Sequence, residues 1–228
     1  MFTVSEENYV KSIYHLQQHA RNVSTNELAG RLHTKPASVT DMLKKLKAKN
    51  LLNYEKYYGV KLTPEGRKLA LEIIRRHRLW ENFLVNHLQF NWDEVHEIAE
   101  QLEHVQSTML TDKLDAYMDF PRFDPHGDPI PDSKGKMETM NQVNLLQLQP
   151  HQEAEICAVG SQQTELLEML RSKKLQIGAM VSITHRYAFD NSVELVINKQ
   201  APQSISGQLA GQLFVKVKNN KAKAKEQK

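Results

Sequence analysis

A chain of 228 residues is long for one compact core and suits two or three small domains. With 40% hydrophobic and 25% charged residues, no apolar run of bilayer length and a polar start (MFTVSEENYV), the composition predicts a cytoplasmic protein with no leader and no membrane partner. The single cysteine, Cys157, excludes a disulfide framework and a thiolate zinc knuckle.

The net charge of +3 hides a segregation: residues 1–76 carry +7, residues 77–155 carry −10 and residues 156–228 carry +6. A basic front on an acidic middle predicts a polyanion for the first and cations for the second.

In chain order, residues 5–20 place Tyr9, Val10, Ile13, Tyr14 and Leu16 at helical spacing, with Ser5 as N-cap. Ser24-Thr25-Asn26-Glu27 is a capping box opening a short helix with Leu28, Ala29 and Leu32. Pro36 suits the first turn of a third helix, about 36–50, with Val39, Met42, Leu43 and Leu46 inward. Residues 51–62 read as a hairpin turning near Tyr58-Gly59, and Thr63-Pro64-Glu65-Gly66 caps a long helix to about His87. Together these make a winged helix-turn-helix, whose third helix enters the major groove and whose wing touches phosphates.

Helices are expected at 93–106 and 107–119, followed by a proline-rich bend, Pro121–Pro131, and a polar linker. From Glu153 the pattern turns to strands, at Ala154–Val159, Met180–Thr184, Val193–Ile197 and Leu213–Val217, with one helix at 164–172. That set is similar to a small SH3-like barrel. The tail, Lys218–Lys228, has no apolar residue larger than alanine and is expected to be disordered.

Two constellations carry chemistry. On the third helix, Ser38, Thr40 and Asp41 can read base edges, while Lys44 and Lys45, with Lys47 and Lys49, can neutralise phosphates. Lys56 and Lys61 flank the wing turn and are expected to touch the DNA backbone. In the acidic third, the helix at 93–106 sorts into three arcs at about 100° per residue. Val95, Ile98, Ala99, Leu102 and Val105 face the core, and Glu94, Glu97 and Gln101 face solvent. His96, Glu100, Glu103 and His104 form a ligand stripe. His77 and Glu81 repeat the His/Glu pairing one helix earlier, and Asp124 and His126 add a carboxylate and an imidazole in the bend. Mixed nitrogen and oxygen donors without thiolate favour Mn²⁺, Fe²⁺ or Zn²⁺. Two-metal hydrolases use such ligands, but no nucleophile elbow, phosphate-binding glycine loop or zincin motif is present, so an enzyme is not expected.

Arg76-His77-Arg78-Leu79 with Glu81, Val95-His96 through Glu100-Gln-Leu-Glu103-His104, and Asp124-Pro-His126-Gly-Asp-Pro-Ile-Pro131 resemble, in this order, the diphtheria toxin repressor and manganese transport regulator family. The likeness covers nearly the whole chain, in the long form with a C-terminal SH3-like domain. It implies a homodimer that binds an inverted-repeat DNA operator when metal is present and represses metal-uptake genes. The implied fold is mainly α, a winged helix-turn-helix (1–73) and a helical metal-binding and dimerisation domain (74–140). A linker (141–152), a small β-barrel (153–218) and a basic tail (219–228) complete it.

By the same resemblance, His77, Glu81 and His96 belong to one metal site, which can also draw on Asp124, His126 and a side chain of the SH3-like domain (Gln162, Gln163 or Glu165). Glu100, Glu103 and His104 belong to a second, completed from the first helix. The ion there links that helix to the dimerisation helices. Two departures stand out: the first-helix ligand position is Asn8, an amide that offers only a carbonyl oxygen, and an acidic position one turn later is Lys11, which cannot ligate while protonated. Glu100, where iron-sensing members carry Cys, favours Mn²⁺, then Fe²⁺, with Zn²⁺ also compatible. The alternative is a winged-helix regulator with structural metals, controlled by another effector.

Overall fold

A computed structural model describes residues 2–20, 22–55 and 58–217. Contacts divide the chain into two compact units: residues 1–83, 97–122 and 130–138 form the first, and residues 84–96, 123–129 and 139–228 the second.

In the first unit, helices α1 (Val4–Leu16), α2 (Thr25–Arg31) and α3 (Pro36–Ala48) precede a hairpin of β1 (Leu52–Glu55) and β2 (Gly59–Leu62). The N-cap of α1 is Thr3 rather than Ser5, because Thr3 and Glu6 complete a reciprocal capping box. Ser24 and Glu27 do the same for α2, and Pro36 opens α3. The hairpin pairs Leu52 with Leu62 and Tyr54 with Val60, and Val60 bridges further to Val23. Helix α4 (Pro64–Asn86) starts where Thr63 Oγ1 accepts from Gly66 N at 3.1 Å. Gly66 is required there, since a Cβ would stand 1.9 Å from the Leu51 carbonyl oxygen. Val10, Ile13, Leu28, Val39, Leu43, Leu46, Leu52, Val60 and Ile73 form one buried core, as the helical and strand periodicities required.

Helix α5 (Val95–Leu102) is shorter than the expected 93–106. Its inward arc holds at Val95 and Ala99, but the helix stops at Leu102, so Glu103 and His104 lie in the turn beyond it and Val105 is exposed. Helix α6 (Thr108–Tyr117) begins at the Ser107 cap. Leu79, Leu114 and Ile130 make a small second cluster, with Trp80, Phe83 and Met118 against it.

The second unit is built on strands β3 (Val143–Asn144), β4 (Ala154–Val159), β5 (Met180–Arg186), β6 (Val193–Ile197), β7 (Gln203–Ile205) and β8 (Leu213–Val217). They form an open antiparallel sheet in the order β3-β8-β4-β5-β6-β7, not a closed barrel. Helices α7 (Thr164–Ser172) and α8 (Gly207–Ala210) accompany it. Residues 141–152, expected as a linker, are part of this unit: β3 pairs with β8, a 3-10 turn spans Leu145–Gln147, and Leu145 and Leu148 are buried in the core with Ile156, Leu167, Ile183, Leu195 and Val215. Val143, Leu145, Leu146 and Leu148 lie in a polar stretch too short to show a period, so they carried no clear signal in the sequence. The expected tail, 219–228, lies outside the described residues. Among the described residues no helix is long and apolar enough to cross a membrane.

Candidate metal centre and nucleic-acid interface

His77 and Glu81 stand one turn apart on α4, both buried, with His77 Nε2 2.9 Å from Glu81 Oε1. The other ring nitrogen, Nδ1, lies 2.6 Å from Glu103 Oε2. Burial works against charge on His77, but Glu81 and Glu103 outweigh it and raise the imidazole above its ordinary pKa. Burial likewise pushes Glu103 up, and His77 and Lys11 together bring it below the usual carboxylate value. A carboxylate on Nδ1 fixes the ring and its tautomer, which is how an outer partner prepares the opposite nitrogen for an ion. Two buried donors, one nitrogen and one oxygen, fit a divalent cation.

The residues of the expected stripe meet different partners: α5 ends at Leu102, with Glu103 N still bonded to the Ala99 carbonyl at 2.8 Å. Glu103 meets His77 and also Lys11, whose Nζ is 2.9 and 2.7 Å from its two oxygens. Glu100, largely exposed, lies 3.6 Å from the same ammonium. His104 Nδ1 is 2.6 Å from Glu7 Oε2, and Glu7 Oε1 accepts from Arg76 at 2.8 Å and from Gln106 Nε2 at 3.0 Å. Arg76 Nε also donates to the Glu103 carbonyl.

Glu7, not Asn8, is thus the α1 residue that meets His104. Asn8 lines a hollow with Val4, Ser5, Thr34, Ser38 and Met42. Glu7 and Arg76 escaped the sequence reading. The available signal was Glu7 and Lys11 at i, i+4, one face of α1 carrying opposite charges toward the acidic third.

In the second unit the bend is held by its own turn chemistry. Asp124 Oδ1 accepts from the backbone N–H groups of His126 and Asp128, each at 2.9 Å, so Oδ2 is the oxygen with which Asp124 can serve a cation. Gly127 has φ +87°, and a Cβ there would lie 2.0 Å from the Cys157 carbonyl oxygen, which explains the glycine of the Asp-Pro-His-Gly motif. The buried His126 ring stacks on Trp92 at 5.8 Å, and its Nε2 donates to the Trp92 carbonyl at 2.8 Å. That bond makes Nδ1 the acceptor nitrogen of His126. His96, half-buried, also belongs to this unit. Of the three candidates in the SH3-like region, Gln162 reaches the bend, donating to Asp128 Oδ2 at 3.0 Å. Gln163 caps α7, and Glu165 is exposed.

Of the residues expected to meet DNA, Ser38, Asp41, Lys44 and Lys45 are exposed along α3. Thr40 donates to the Pro36 carbonyl at 3.0 Å, which leaves its oxygen only as an acceptor for a base. Asp41 pairs with Lys44 at 3.2 Å, an exposed contact of little energetic weight that DNA can exchange. Lys47 donates to the Tyr54 carbonyl, and Lys49 pairs with Glu6 at 2.6 Å, so these two brace the domain. Lys61 is exposed on β2, whereas Lys56 lies outside the described residues.

Met109 and Tyr117 on α6 and Phe120 in the turn after it are 71%, 68% and 63% exposed. Large apolar groups so exposed on one segment are the mark of a protein contact face.

Comparison with known proteins matches three successive segments of the chain. Residues 1–60 match the model described as the iron dependent repressor N-terminal DNA binding domain. Residues 63–132 match the iron dependent repressor metal binding and dimerisation domain, and residues 143–217 match the FeoA domain. The transcriptional regulator MntR of Geobacillus thermodenitrificans is 35% identical over 114 residues, 50% of this chain and 80% of the relative. The iron-dependent repressor IdeR of Mycobacterium tuberculosis is 32% identical over 125 residues, 55% of this chain and 54% of the relative. A solved manganese-dependent transcriptional repressor in complex with manganese superposes with a TM-score of 0.79 at 31% identity, covering 92% of this chain and 98% of that one. The IdeR structure from T. acidophilum covers 96% and 100% at a TM-score of 0.71 and 25% identity. Winged helix, buried His/Glu donors, exposed α6 face and C-terminal sheet therefore have one common explanation: the chain belongs to the iron- and manganese-dependent family of DNA-binding transcriptional repressors.

Proposed function

We propose that this protein is a manganese-responsive repressor of metal-uptake genes, which binds an inverted-repeat operator as a homodimer when loaded with metal. The observation that carries the reading is the buried His77–Glu81 pair, with His77 oriented through Nδ1 by Glu103. His77, Glu81, His96, Asp124 and His126 are the proposed ligands, on their donor chemistry and on family membership. All are nitrogen or oxygen donors, a set that suits Mn²⁺ before Fe²⁺ and leaves Zn²⁺ as a competitor. When bound, the ion supplies a fixed positive charge and a preferred ligand geometry, and the residues hold that geometry.

DNA binding is assigned to Ser38, Thr40, Asp41, Lys44, Lys45 and Lys61, with Lys56 added from the sequence. In a dimer, two copies of α3 read two half-sites, and half-site spacing follows from the dimer axis. The exposed apolar residues of α6 and the turn after it supply the contact face.

The test is a band shift with the protein's own promoter DNA, with and without chelator, titrated with Mn²⁺, Fe²⁺ and Zn²⁺. Mn²⁺ is expected to raise affinity at least tenfold over the chelated protein. Affinity indifferent to chelation is the behaviour of structural metals and overturns the reading.

A further inference from the structure

Within the acidic cluster of the first unit, one cation is supplied by the chain itself. Lys11 Nζ sits 2.9 Å from Glu103 Oε1, 2.7 Å from Glu103 Oε2 and 3.6 Å from Glu100 Oε1. The Lys11 side chain is 13% exposed and that of Glu103 1%, so this is a largely dehydrated pair, not a surface contact. Both Glu103 oxygens are engaged, Oε2 by His77 as well. An ion shared by Glu100 and Glu103 would have to stand where the ammonium stands. The remaining member, His104, points Nδ1 at Glu7, whose other oxygen is held by Arg76. The two carboxylates of the second ligand set thus share the Lys11 ammonium, and its imidazole is turned to Glu7, a carboxylate already paired with Arg76. The residues present do not fit a second metal ion.

We infer that Lys11 is a tethered substitute for the second ion: it holds α1 to Glu103 and Glu100 without metal, and the protein binds one regulatory ion per protomer. The inference rests on the proposed metal response. It alters the coupling between the parts: the link from α1 to the turn after α5 is permanent, and metal dependence falls on the His77–Glu81 set. Glu103 joins the two, since one carboxylate holds both Lys11 Nζ and His77 Nδ1. Losing its partner would leave a buried charge uncompensated, so the bond persists through cycles of metal loading.

The experiment counts Mn²⁺ bound by metal-stripped full-length protein, from the free-ion paramagnetic resonance signal during titration. Wild type is expected to bind one high-affinity ion per protomer and Lys11→Glu two. Glu100→Gln, a change at an exposed residue that leaves the fold in place, is expected to stay at one with unchanged affinity. Two high-affinity ions in wild type overturn the inference, as does a folded Lys11→Glu protein that still takes one. No high-affinity ion in wild type instead overturns the proposed metal response itself.

Discussion

Glu103 Oε2 lies 2.6 Å from Nδ1 of His77, on the side of the ring opposite Glu81. One imidazole is thereby held between two buried carboxylates, and the same glutamate holds the Lys11 ammonium of α1. A residue assigned by family resemblance to a second ion is, in this chain, the partner of His77, a proposed ligand for the first. That relationship decides how most substitutions around the centre should behave.

Glu103→Gln keeps the shape of the side chain but can no longer pair as an anion with both His77 and Lys11. Mn²⁺ affinity should fall about 10- to 100-fold, the usual cost of losing a ligand's outer partner. Isothermal titration on the folded variant measures it, with circular dichroism as the control for fold. An affinity within twofold of wild type would remove Glu103 from the coupling.

The pH dependence follows from His77. Its pKa is raised in the folded apo protein, so its stabilising contribution is fully present below the unfolded value near 6.5 and is lost as pH rises through the folded pKa. Metal binding runs the other way, because a ligating Nε2 must first lose its proton. Mn²⁺ affinity should therefore increase with pH across the range above about 6.5, with proton release detectable by titration in buffers of different ionisation enthalpy. Flat affinity from pH 6.5 to 8 would count against His77 as a ligand.

Met109, Tyr117 and Phe120 are large exposed apolar residues on and just after α6 that suit contact with a second copy of the chain. Tyr117→Glu places a charge in that face and should weaken dimerisation at least tenfold, about 1.4 kcal/mol. Sedimentation equilibrium gives the dimer constant. A variant as dimeric as wild type would move the interface elsewhere. Phe83, whose ring meets Tyr117 edge-on at 6.1 Å, offers an independent substitution.

On α3 the exposed Lys45 and Ser38 separate two kinds of contact. Lys45→Ala should weaken binding to all sequences alike and reduce the slope of log K against log salt by about 1. Ser38→Ala should leave the slope unchanged and relax preference at one base pair. Equal effects of Lys45→Ala on slope and on base preference would exclude the phosphate role.

Much of this architecture could be read directly from residue order. Helical spacing around Val10, Ile13, Val39, Leu43 and Leu46, the Ser24–Glu27 capping box and the alternation of β4, β5, β6 and β8 are local signals, and local signals survive in one dimension. The His/Glu pair at 77 and 81 belongs to the same class, since i and i+4 on one helix must be neighbours. Three features could not be seen that way. The partners that Glu103 and His104 take at the end of α5, His77 and Lys11 for one and Glu7 for the other, come from α4 and α1 and not from the helix itself. Leu145 and Leu148 join a core assembled from residues distant in the chain, so a segment with linker composition becomes structure. And whether Asn8, Glu7 or Lys11 meets the acidic turn depends on the rotation of α1 against it, which no periodicity within α1 contains. The sequence determined which donors and cations this protein possesses. Tertiary packing alone decided that Lys11, 92 residues from Glu103, would be the cation at that carboxylate, because long-range charge pairing is set by how helices dock and not by their spacing in the chain.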